Sequence, residues 1–382
     1  MNEERYARLT LIPWWDQDKL RSSKALVVGA GALGNEIIKN LTLLGFGTIY
    51  VVDMDKIESS NLSRSVLFRQ EDVGHFKANV VAKAAKQMNP DVKIVPIIGK
   101  FEDEIGLDLL KSMDLIFAGL DSRIARLNVG RACRLVGKAW IDGAIEALHG
   151  IVRVFEAKGP CYECTLNEID LELISKRKSC ALITKEEAEL GKIPTTPTMA
   201  SIISGFEVQE GIKLLHAERK LPYLGGQAFF LNGLTHDSYK IVYSEKADCQ
   251  SHETIDDFVP VDINRNSTLL ELKAAVAQKL GADISVTLRK EVVIAERCVD
   301  CSTKKLVGLA PRVWAEQEKK CGVCAKALQP VLAQSLSEFT GLEHMTLKDF
   351  QIPDRDILIA YMGEKLMGIV LESEEKSLKG AA

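Results

Sequence analysis

At 382 residues, the chain is long enough for two or three domains rather than one compact core. Hydrophobic residues make up 46% of it and charged residues 27%, a balance that excludes intrinsically disordered and fibrous proteins. The 49 basic and 53 acidic residues leave a net charge of −4, so we expect neither nucleic acid nor an anionic membrane as a partner.

The expected compartment is the cytoplasm. No apolar run approaches the ~18 residues that would span a bilayer. The first ten residues, MNEERYARLT, lack the basic and then apolar pattern of a secretory signal. Several of the nine cysteines form CxxC pairs, which in an unsecreted chain indicate metal sites rather than disulfides.

The first predicted elements form a β-α-β unit. Residues 25–28 are a short apolar strand, and apolar residues at helical spacing follow a glycine-rich turn. A second strand, residues 49–52, ends at Asp53, an acid about 20 residues past the glycines. The turn contains Gly29, Gly31 and Gly34. This GxGxxG pattern is typical of nucleotide-binding folds, although glycines needed only for tight packing would produce it too.

Further alternation of strands and helices predicts a mainly parallel sheet. Polar residues 165–195 are interpreted as a crossover segment. A helix over residues 199–216 is predicted after Pro197. The remaining strands of this region are predicted at residues 92–98, 115–118, 140–142, 228–231 and 239–243.

Beyond residue 255 the pattern changes to that of a small α+β module. A strand, a helix and a strand are predicted at residues 258–263, 268–280 and 284–288, an order that fits a β-grasp fold. We therefore predict an α/β protein with a Rossmann-like, mainly parallel sheet and a β-grasp-like C-terminal module. The expected domains are residues 1–252 and 255–372, with a zinc-ribbon insertion at 296–326 and a polar tail at 373–382.

Acids and cations follow the second predicted strand. Asp53 and Asp55 can bind ribose hydroxyls or, through water, a metal ion. Three further side chains can reach a polyphosphate: Asn61, Arg64 and Lys77. Adenylyl transfer needs such cations to neutralise pyrophosphate charge, whereas a dehydrogenase does not. Asp121 follows strand 115–118, where α/β sheets bind ligands, and suits Mg²⁺; a helix N-cap is the alternative interpretation.

Two sets of four side chains have the spacing of structural zinc ligands. The first set pairs a CxxC turn with a distant CxxH turn, and the second pairs two CxxC turns as in a zinc ribbon. The sets are Cys161, Cys164, Cys249 and His252, and Cys298, Cys301, Cys321 and Cys324. The alternatives are ordinary loop residues at the CxxH turn and a redox dithiol in the second set.

Two cysteines lie outside these sets. Cys133 is in an apolar helical stretch, which suits a small buried side chain. Cys180 follows Lys176, Arg177 and Lys178, and a thiol beside several cations is more acidic than usual. We therefore predict Cys180 as a nucleophile, with a loop cysteine without a role as the alternative.

Five segments, in order, resemble the ThiF/MoeB/HesA superfamily: GAGALGNEIIKNLTLLGFGTIYVVDMDKIESSNLSR, GHFKANVVA, FAGLDSRIARLNV, AWIDGAIEALHGIVRVF and CYECTL. Over residues 5–252 the chain is most similar to the catalytic subunit of ubiquitin-like-protein activating enzymes. The implied roles are ribose and metal contact for Asp53 and Asp55, phosphate contact for Asn61, Arg64 and Lys77, Mg²⁺ binding for Asp121 and thioester formation for Cys180.

The two ends of the chain extend this resemblance. The start Arg5-Tyr-Ala-Arg8 resembles the arginine motif of homodimeric members, which implies that Arg8 reaches the partner's ATP. Residues 255–372 resemble a ubiquitin-fold domain that recruits a conjugating enzyme. The chain departs from the family in its CxxH turn, in Cys180-Ala181 where Cys-Thr is common, and in the inserted zinc ribbon.

The sequence thus predicts an enzyme that adenylates the exposed C-terminal tail of a ubiquitin-like protein with ATP and Mg²⁺. Cys180 would then form a thioester and pass it to a conjugating enzyme, with a bacterial conjugation system as a setting to consider. Two structural Zn²⁺ ions and a homodimer are expected. A sulfur-carrier adenylyltransferase, of the thiamine or molybdenum-cofactor type, is the first alternative, and it needs no C-terminal module. An inactive scaffold subunit is the second, which Arg64, Lys77 and Asp121 disfavour.

Overall fold

A computed structural model describes residues 3–172, 194–281, 284–315, 317, 319–363 and 365–374. The chain divides into two compact units. The larger unit comprises Met1–Phe101 and Leu110–Glu253, and the smaller comprises Glu102–Leu109 and Thr254–Ala382. Among the described residues, we find no helix with the length and apolar character needed to cross a membrane.

The larger unit is built on an eight-stranded sheet. Its strands in chain order are β1 Lys24–Val28, β2 Thr48–Asp53, β3 Lys93–Ile98, β4 Leu115–Ala118, β5 Trp140–Glu146, β6 His149–Phe155, β7 Gln227–Asn232 and β8 Asp237–Val242. They lie in the order β3-β2-β1-β4-β5-β6-β7-β8. The pairs from β3 to β5 are parallel, and those from β5 to β8 are antiparallel. The predicted mainly parallel sheet is therefore confirmed, but β6 was not predicted.

Within the described residues, the α-helices have the following bounds: α1 Gln17–Ser22, α2 Ala32–Leu44, α3 Lys77–Met88, α4 Phe101–Glu104, α5 Leu107–Lys111, α6 Arg123–Leu135, α7 Pro197–Leu215, α8 Leu269–Leu280 and α9 Pro311–Ala315. The predicted helix over 199–216 is α7, which begins two residues earlier. The hydroxyl of Thr196 accepts a hydrogen bond from Met199 N at 3.3 Å, and Pro197 lies in the first turn.

The C-terminal end of helix α2 contacts the N-terminal segment at Tyr6. Gly45 ends the helix with a φ of +77°, a conformation that other residues rarely adopt. A Cβ on Gly45 would lie 2.4 Å from the hydroxyl oxygen of Tyr6, whose ring is buried there. The Tyr6 hydroxyl also accepts a hydrogen bond from Asn89 Nδ2 at 2.7 Å. The segment near Tyr6 is thus fixed at the C-terminal end of α2.

The smaller unit has a six-stranded sheet on which helix α8 packs. Its strands are β9 Asp257–Pro260, β10 Ser285–Cys298, β11 Lys304–Leu309, β12 Leu328–Ser335, β13 Ile357–Met362 and β14 Lys365–Val370. The order is β11-β10-β13-β14-β9, with β12 also paired to β10. The 14-residue strand β10 pairs with β13 at its start and with β11 and β12 further on, and it ends at Cys298.

A segment between β3 and β4 completes the smaller unit. Leu107 N donates to Asp356 Oδ1 at 2.8 Å, and Arg355 pairs with Asp108 at 2.7 Å. Arg289 donates to Ile105 O at 2.9 Å. The sequence does not indicate that this segment belongs with the C-terminal region, because the residues that it contacts lie far away in the sequence.

Candidate functional site

The glycine-rich turn lies between β1 and α2, and its three glycines have different roles. Gly29 has a φ of +92°, and a Cβ on Gly34 would lie 1.9 Å from Gly29 O. Both positions therefore require glycine for conformation or packing. A Cβ on Gly31, by contrast, would meet no atom within 4 Å. Packing alone does not explain Gly31, whereas close approach of a ligand to the backbone does.

Asp53 connects this turn to the end of β2. Its Oδ2 accepts a hydrogen bond from Ala30 N at 2.7 Å, and its Oδ1 accepts one from Asp55 N at 2.8 Å. Burial raises the pKa of the Asp53 carboxyl above its ordinary value, and the charge of Lys77 opposes that rise. Each carboxylate oxygen can still accept one more hydrogen bond, for example from a ribose hydroxyl.

The structure brings Asp55 and Lys77 together beside Asp53. Lys77 opens α3, and its Nζ lies 2.9 Å from Asp55 Oδ2. Asn61 and Arg64 lie in the loop between β2 and α3, where their contacts are local. Asn61 Oδ1 accepts a hydrogen bond from Glu58 N at 3.0 Å, and Arg64 Nη1 donates to Ser60 O at 2.6 Å. The loop between β2 and α3 thus contains the cation Arg64, and the start of α3 contributes the cation Lys77 beside Asp55.

Asp121 lies at the same edge of the sheet. Strand β4 pairs with β1 in parallel, so Asp121 follows the strand next to the glycine-rich turn. The N-cap of α6 is Ser122, whose Oγ accepts from Ala125 N at 3.4 Å. Asp121 is exposed and is not the cap, so the N-cap interpretation does not apply to it. A carboxylate at this position fits a divalent cation bound together with phosphates.

Sequence reasoning missed a buried network that holds the backbone before Asp121. Arg126 Nε donates to Asp142 Oδ1 at 2.8 Å, and its Nη2 donates to the carbonyl oxygens of Leu120 and Gly143. Asp142 is fully buried. An acid within the otherwise apolar start of β5 was the sequence signal that could have revealed this network, since buried charges need partners.

Two more ionisable residues lie near Asp142. Arg153 Nη2 lies 2.5 Å from Asp142 Oδ2. Glu207 on α7 is also fully buried, and a Cβ on Gly143 would lie 2.4 Å from its Oε2. Burial, and then the charge of Asp142, hold the pKa of Glu207 well above its ordinary value, although two arginines oppose this.

The first predicted zinc set is assembled in the larger unit. Its four ligand atoms lie within 4.8 Å of one another, with Cys161 Sγ at 3.7 Å from Cys164 Sγ and 3.5 Å from Cys249 Sγ. His252 Nε2 lies 3.2 Å from Cys164 Sγ, and its Nδ1 lies 3.1 Å from Glu245 Oε1. A carboxylate on the other ring nitrogen is the usual support of a metal-binding histidine. The structure thus places the CxxH turn where it could complete a set of four metal ligands with Cys161 and Cys164.

The CxxH turn is also tied to α6. Arg131 Nε donates to Ser251 Oγ at 2.7 Å, and Arg131 Nη2 donates to Glu163 Oε2 at 2.8 Å. Ser251 and Glu163 lie between the ligands of the two turns. A metal in this set would thus stabilise the turns together with the helix that follows Asp121.

The second predicted zinc set lies in the smaller unit, where β10 ends. Cys298 Sγ lies 3.4 Å from Cys324 Sγ, and Cys301 Sγ lies 3.5 Å from Cys321 Sγ. All four ligand atoms lie within 4.8 Å of one another. Tetrahedral zinc with Zn–S bonds of about 2.3 Å places sulfurs slightly under 4 Å apart, so both sets fit the ion.

The remaining predicted residues lie away from the glycine-rich turn or outside the described part of the chain. Cys180 lies outside the described residues. Arg8 is exposed, two residues after Tyr6. Cys133 is fully buried in α6, as predicted. Trp14 and Trp15 pack on the buried ring of His216, at centroid distances of 5.6 and 6.0 Å.

Comparison with solved structures supports this fold. The described chain aligns with the crystal structure of E. coli MccB with ATP at a TM-score of 0.53, with 20% sequence identity. The alignment covers 65% of this chain and 74% of that chain. At this identity the likeness concerns the fold alone.

Sequence relatives include adenylyltransferases and activating enzymes. A sulfur carrier protein adenylyltransferase of Thermus thermophilus is 36% identical, covering 42% of this chain and 63% of that protein. A NEDD8-activating enzyme E1 catalytic subunit of Caenorhabditis elegans is 39% identical, and the match covers 41% of this chain and 40% of that subunit. A SAMP-activating enzyme E1 of Haloferax volcanii is 30% identical, and the match covers 61% of this chain and 81% of that enzyme.

Most of these matches are partial, since the chain spans 63% of the Thermus protein and 40% of the C. elegans subunit. The family model for the ThiF family matches residues 4–252, which contain the glycine-rich turn, the Asp53–Lys77 region, Asp121 and the first zinc set. The predicted relationship is confirmed: this chain belongs to the ThiF family.

Proposed function

We propose that this chain is an ATP-dependent activating enzyme for a ubiquitin-like protein. The observation that supports the adenylation step is the arrangement at the carboxyl edge of β2, β1 and β4. There, Gly31 leaves the backbone open, Asp53 links the turn to β2, and Asp121 presents an exposed carboxylate. Lys77 lies 2.9 Å from Asp55 beside them. An adenylating enzyme requires both acids and cations at such an edge.

In the proposed first step, the C-terminal carboxylate of the ubiquitin-like protein attacks the α-phosphate of ATP. A C(O)–O–P bond forms, the bond between the α- and β-phosphates breaks, and pyrophosphate leaves. Arg64 and Lys77 would neutralise the charge that develops on pyrophosphate. Asp53 would accept hydrogen bonds from the ribose. Mg²⁺, when bound, would offset further phosphate charge, and the exposed carboxylate of Asp121 fits it.

In the proposed second step, the thiolate of Cys180 attacks the acyl carbon of the adenylate. The bond from that carbon to the phosphate oxygen breaks, AMP leaves, and a thioester remains on Cys180. The thioester would then pass to a cysteine of a conjugating enzyme. This step is supported by the cations before Cys180 in the sequence, which favour the thiolate.

We propose that residues 255–372 form the module that recruits the conjugating enzyme, with the ribbon at 296–326 as an insertion. The helix α8 packed on a sheet in which β9 runs parallel to β14 supports a β-grasp-like interpretation. The competing function is sulfur-carrier adenylyltransferase, which the Thermus relative favours. That function includes no transfer to a conjugating enzyme, so it leaves the C-terminal module without a role.

Mass spectrometry of the full chain with ATP, Mg²⁺ and small β-grasp proteins that have exposed C-terminal tails tests this proposal. We expect an adduct between the chain and the small protein that disappears when excess thiol is added, because the added thiol attacks the acyl carbon of the thioester and releases the Cys180 thiol. In a Cys180→Ala variant the adduct should be lost, while the adenylated small protein still forms. Adenylate without any adduct in the wild-type chain would favour the sulfur-carrier alternative. Absence of both products would contradict an enzyme and favour a scaffold.

We further propose a homodimer in which Arg8 serves the ATP site of the partner subunit. Tyr6 is buried at the C-terminal end of α2, whereas the glycine-rich turn precedes its N-terminus. The 13 residues of α2 span about 20 Å, and two residues of backbone span at most about 7 Å. The backbone of Arg8 therefore lies at least about 13 Å from the start of α2 in its own chain, and this separation supports action in trans.

An apolar face next to this segment supports the dimer. A pocket of about 610 Å³ lies between Trp14, Trp15, α2 and α7. Exposed apolar side chains lie on the same elements, including Leu43 at 48% and Ile202 at 44% exposure. Apolar and aromatic side chains are enriched in the cores of subunit interfaces.

Mixing Arg8→Ala subunits with Lys77→Ala subunits is expected to restore about a quarter of the wild-type adenylation, because random pairing makes about half of the dimers hybrid and each hybrid has one intact site. ATP–pyrophosphate exchange measures the recovery. Each variant by itself should show almost no exchange, and native mass spectrometry should confirm that subunits exchange. A mixture that stays inactive despite subunit exchange would contradict action in trans.

A further inference from the structure

A buried asparagine connects the glycine-rich turn to the loop that contains Arg64. Asn35 lies in the first turn of α2, and its side chain is 0% exposed. Its Nδ2 donates to Ala30 O at 2.7 Å and to Gly31 O at 3.1 Å. Its Oδ1 accepts a hydrogen bond from Leu67 N at 2.9 Å. The amide nitrogen of Asn35 thus binds the backbone of the glycine-rich turn, and its amide oxygen binds the backbone of the loop that contains Arg64.

The helix propensity of asparagine does not explain why it occurs at position 35. Asparagine is among the less favourable residues inside a helix, and a buried amide is tolerated only when it is hydrogen-bonded. Other side chains would retain only part of these contacts. Aspartate can accept from Leu67 N but cannot donate when ionised, serine can donate but is shorter, and leucine has neither capacity. Only the amide of Asn35 supplies both functions at this length.

The two loops have different tasks in the proposed adenylation, yet both must meet one polyphosphate. The backbone at Gly31 is open to a ligand, and Arg64 precedes a segment that is embedded in the core through Leu67 and Phe68, at 5% and 4% exposure. A small displacement between groups that act on one substrate can cost ~100-fold in rate. The separation of the two loops is therefore important for the reaction.

We propose that Asn35 is a positioning residue that holds the glycine-rich turn and the Arg64 loop in register for one bound nucleotide. This inference rests on the proposed adenylation. Asn35 has no contact with substrate in this arrangement, and it acts through the backbone of Gly31 and Leu67. Its removal should therefore affect the use of ATP more than the use of the ubiquitin-like protein.

The test uses Asn35→Asp, Asn35→Ser and Asn35→Leu in the full chain. Hydrogen exchange at the Leu67 amide reports the connection itself. We expect exchange at least about 10-fold faster in the serine and leucine variants, and protection retained in the aspartate variant, because only aspartate still accepts from Leu67 N. ATP–pyrophosphate exchange should show kcat/KM for ATP lowered about 10- to 100-fold in all three. The KM for the ubiquitin-like protein should not change.

A matched control is Glu210→Leu. Glu210 is a buried side chain on α7 whose Oε2 accepts a hydrogen bond from Leu224 N at 2.7 Å, so it also ties a helix to a loop. Its loss should lower the melting temperature as the Asn35 variants do, without changing KM or kcat for ATP. If Asn35→Leu and Asn35→Ser lower only the melting temperature, as the control does, the positioning role is overturned.

The outcome also separates this inference from the proposed function. A wild-type chain that shows no pyrophosphate exchange with any β-grasp protein would contradict the adenylation. In that case, the affinity for a non-hydrolysable ATP analogue tests whether Asn35 positions the two loops. We expect its affinity to fall at least about 10-fold in Asn35→Leu and to be unchanged in Glu210→Leu. Equal affinities in the wild-type chain and Asn35→Leu would overturn the inference.

Discussion

Replacing Asp121 with asparagine is expected to lower ATP–pyrophosphate exchange by about 100-fold or more, because the substitution removes the negative charge proposed to hold Mg²⁺ against the phosphates. Asp121 is exposed at the carboxyl edge of β4, next to β1 and its glycine-rich turn. The loss of exchange should be smaller at high Mg²⁺ concentration if the carboxylate serves mainly to bind the ion.

Arg64→Ala should also reduce ATP–pyrophosphate exchange, whereas Cys180→Ala should leave it near the wild-type value.

Asp114→Asn provides the matched control. Asp114 is an exposed aspartate at the opposite end of β4, where its Oδ2 accepts a hydrogen bond from Lys24 N at 2.7 Å. An asparagine can still accept that bond, so neither exchange nor its Mg²⁺ dependence should change. Equal losses in the Asp121 and Asp114 variants would mean that the effect is general destabilisation. Loss of exchange in Cys180→Ala would contradict the division of the reaction into two steps.

Metal analysis of the purified chain is expected to give two zinc ions, because the structure assembles two sets of four ligands. Cys249→Ser and Cys298→Ser should each retain one ion, and the double variant none. Structural zinc contributes about 10–16 kcal/mol of apparent binding free energy in small domains, so each loss should be strongly destabilising. We expect Cys298→Ser to affect the ribbon and Cys249→Ser to weaken adenylation, since the CxxH turn is tied to α6 through Arg131 and Ser251.

Cys133→Ser is the control for these variants. Cys133 is fully buried in α6 but belongs to neither set of ligands. Its substitution places a hydroxyl in an apolar site and should lower stability, yet both zinc ions should remain. A wild-type chain with one zinc ion, unchanged by Cys249→Ser, would show that the first set does not hold a metal. Full adenylation after loss of that ion would contradict its proposed support of α6.

Features that depend on residue type and on short, regular spacing could be predicted from the sequence. The glycine-rich turn and each CxxC turn of the second zinc set depend on residues a few positions apart, and Asp53 follows the glycines within one β-α-β unit. The mainly parallel sheet was likewise predictable from alternating apolar strands and helices. Strand β6 was missed, because only Ala147 and Leu148 separate it from β5, and neither is a residue type that is typical of a hairpin turn.

By itself, the sequence determined the family, the class of fold and which side chains could carry chemistry, because each depends on residue type and local spacing. Only the tertiary structure decided that Gly31 is open where Gly34 is not, that Ser122 rather than Asp121 caps α6, and that Arg126 meets Asp142. It also revealed Asn35 between two loops. These arrangements depend on close packing between segments far apart in the chain. That packing has no periodic signature in sequence, since any buried polar group needs only some partner, and the fold alone selects which one.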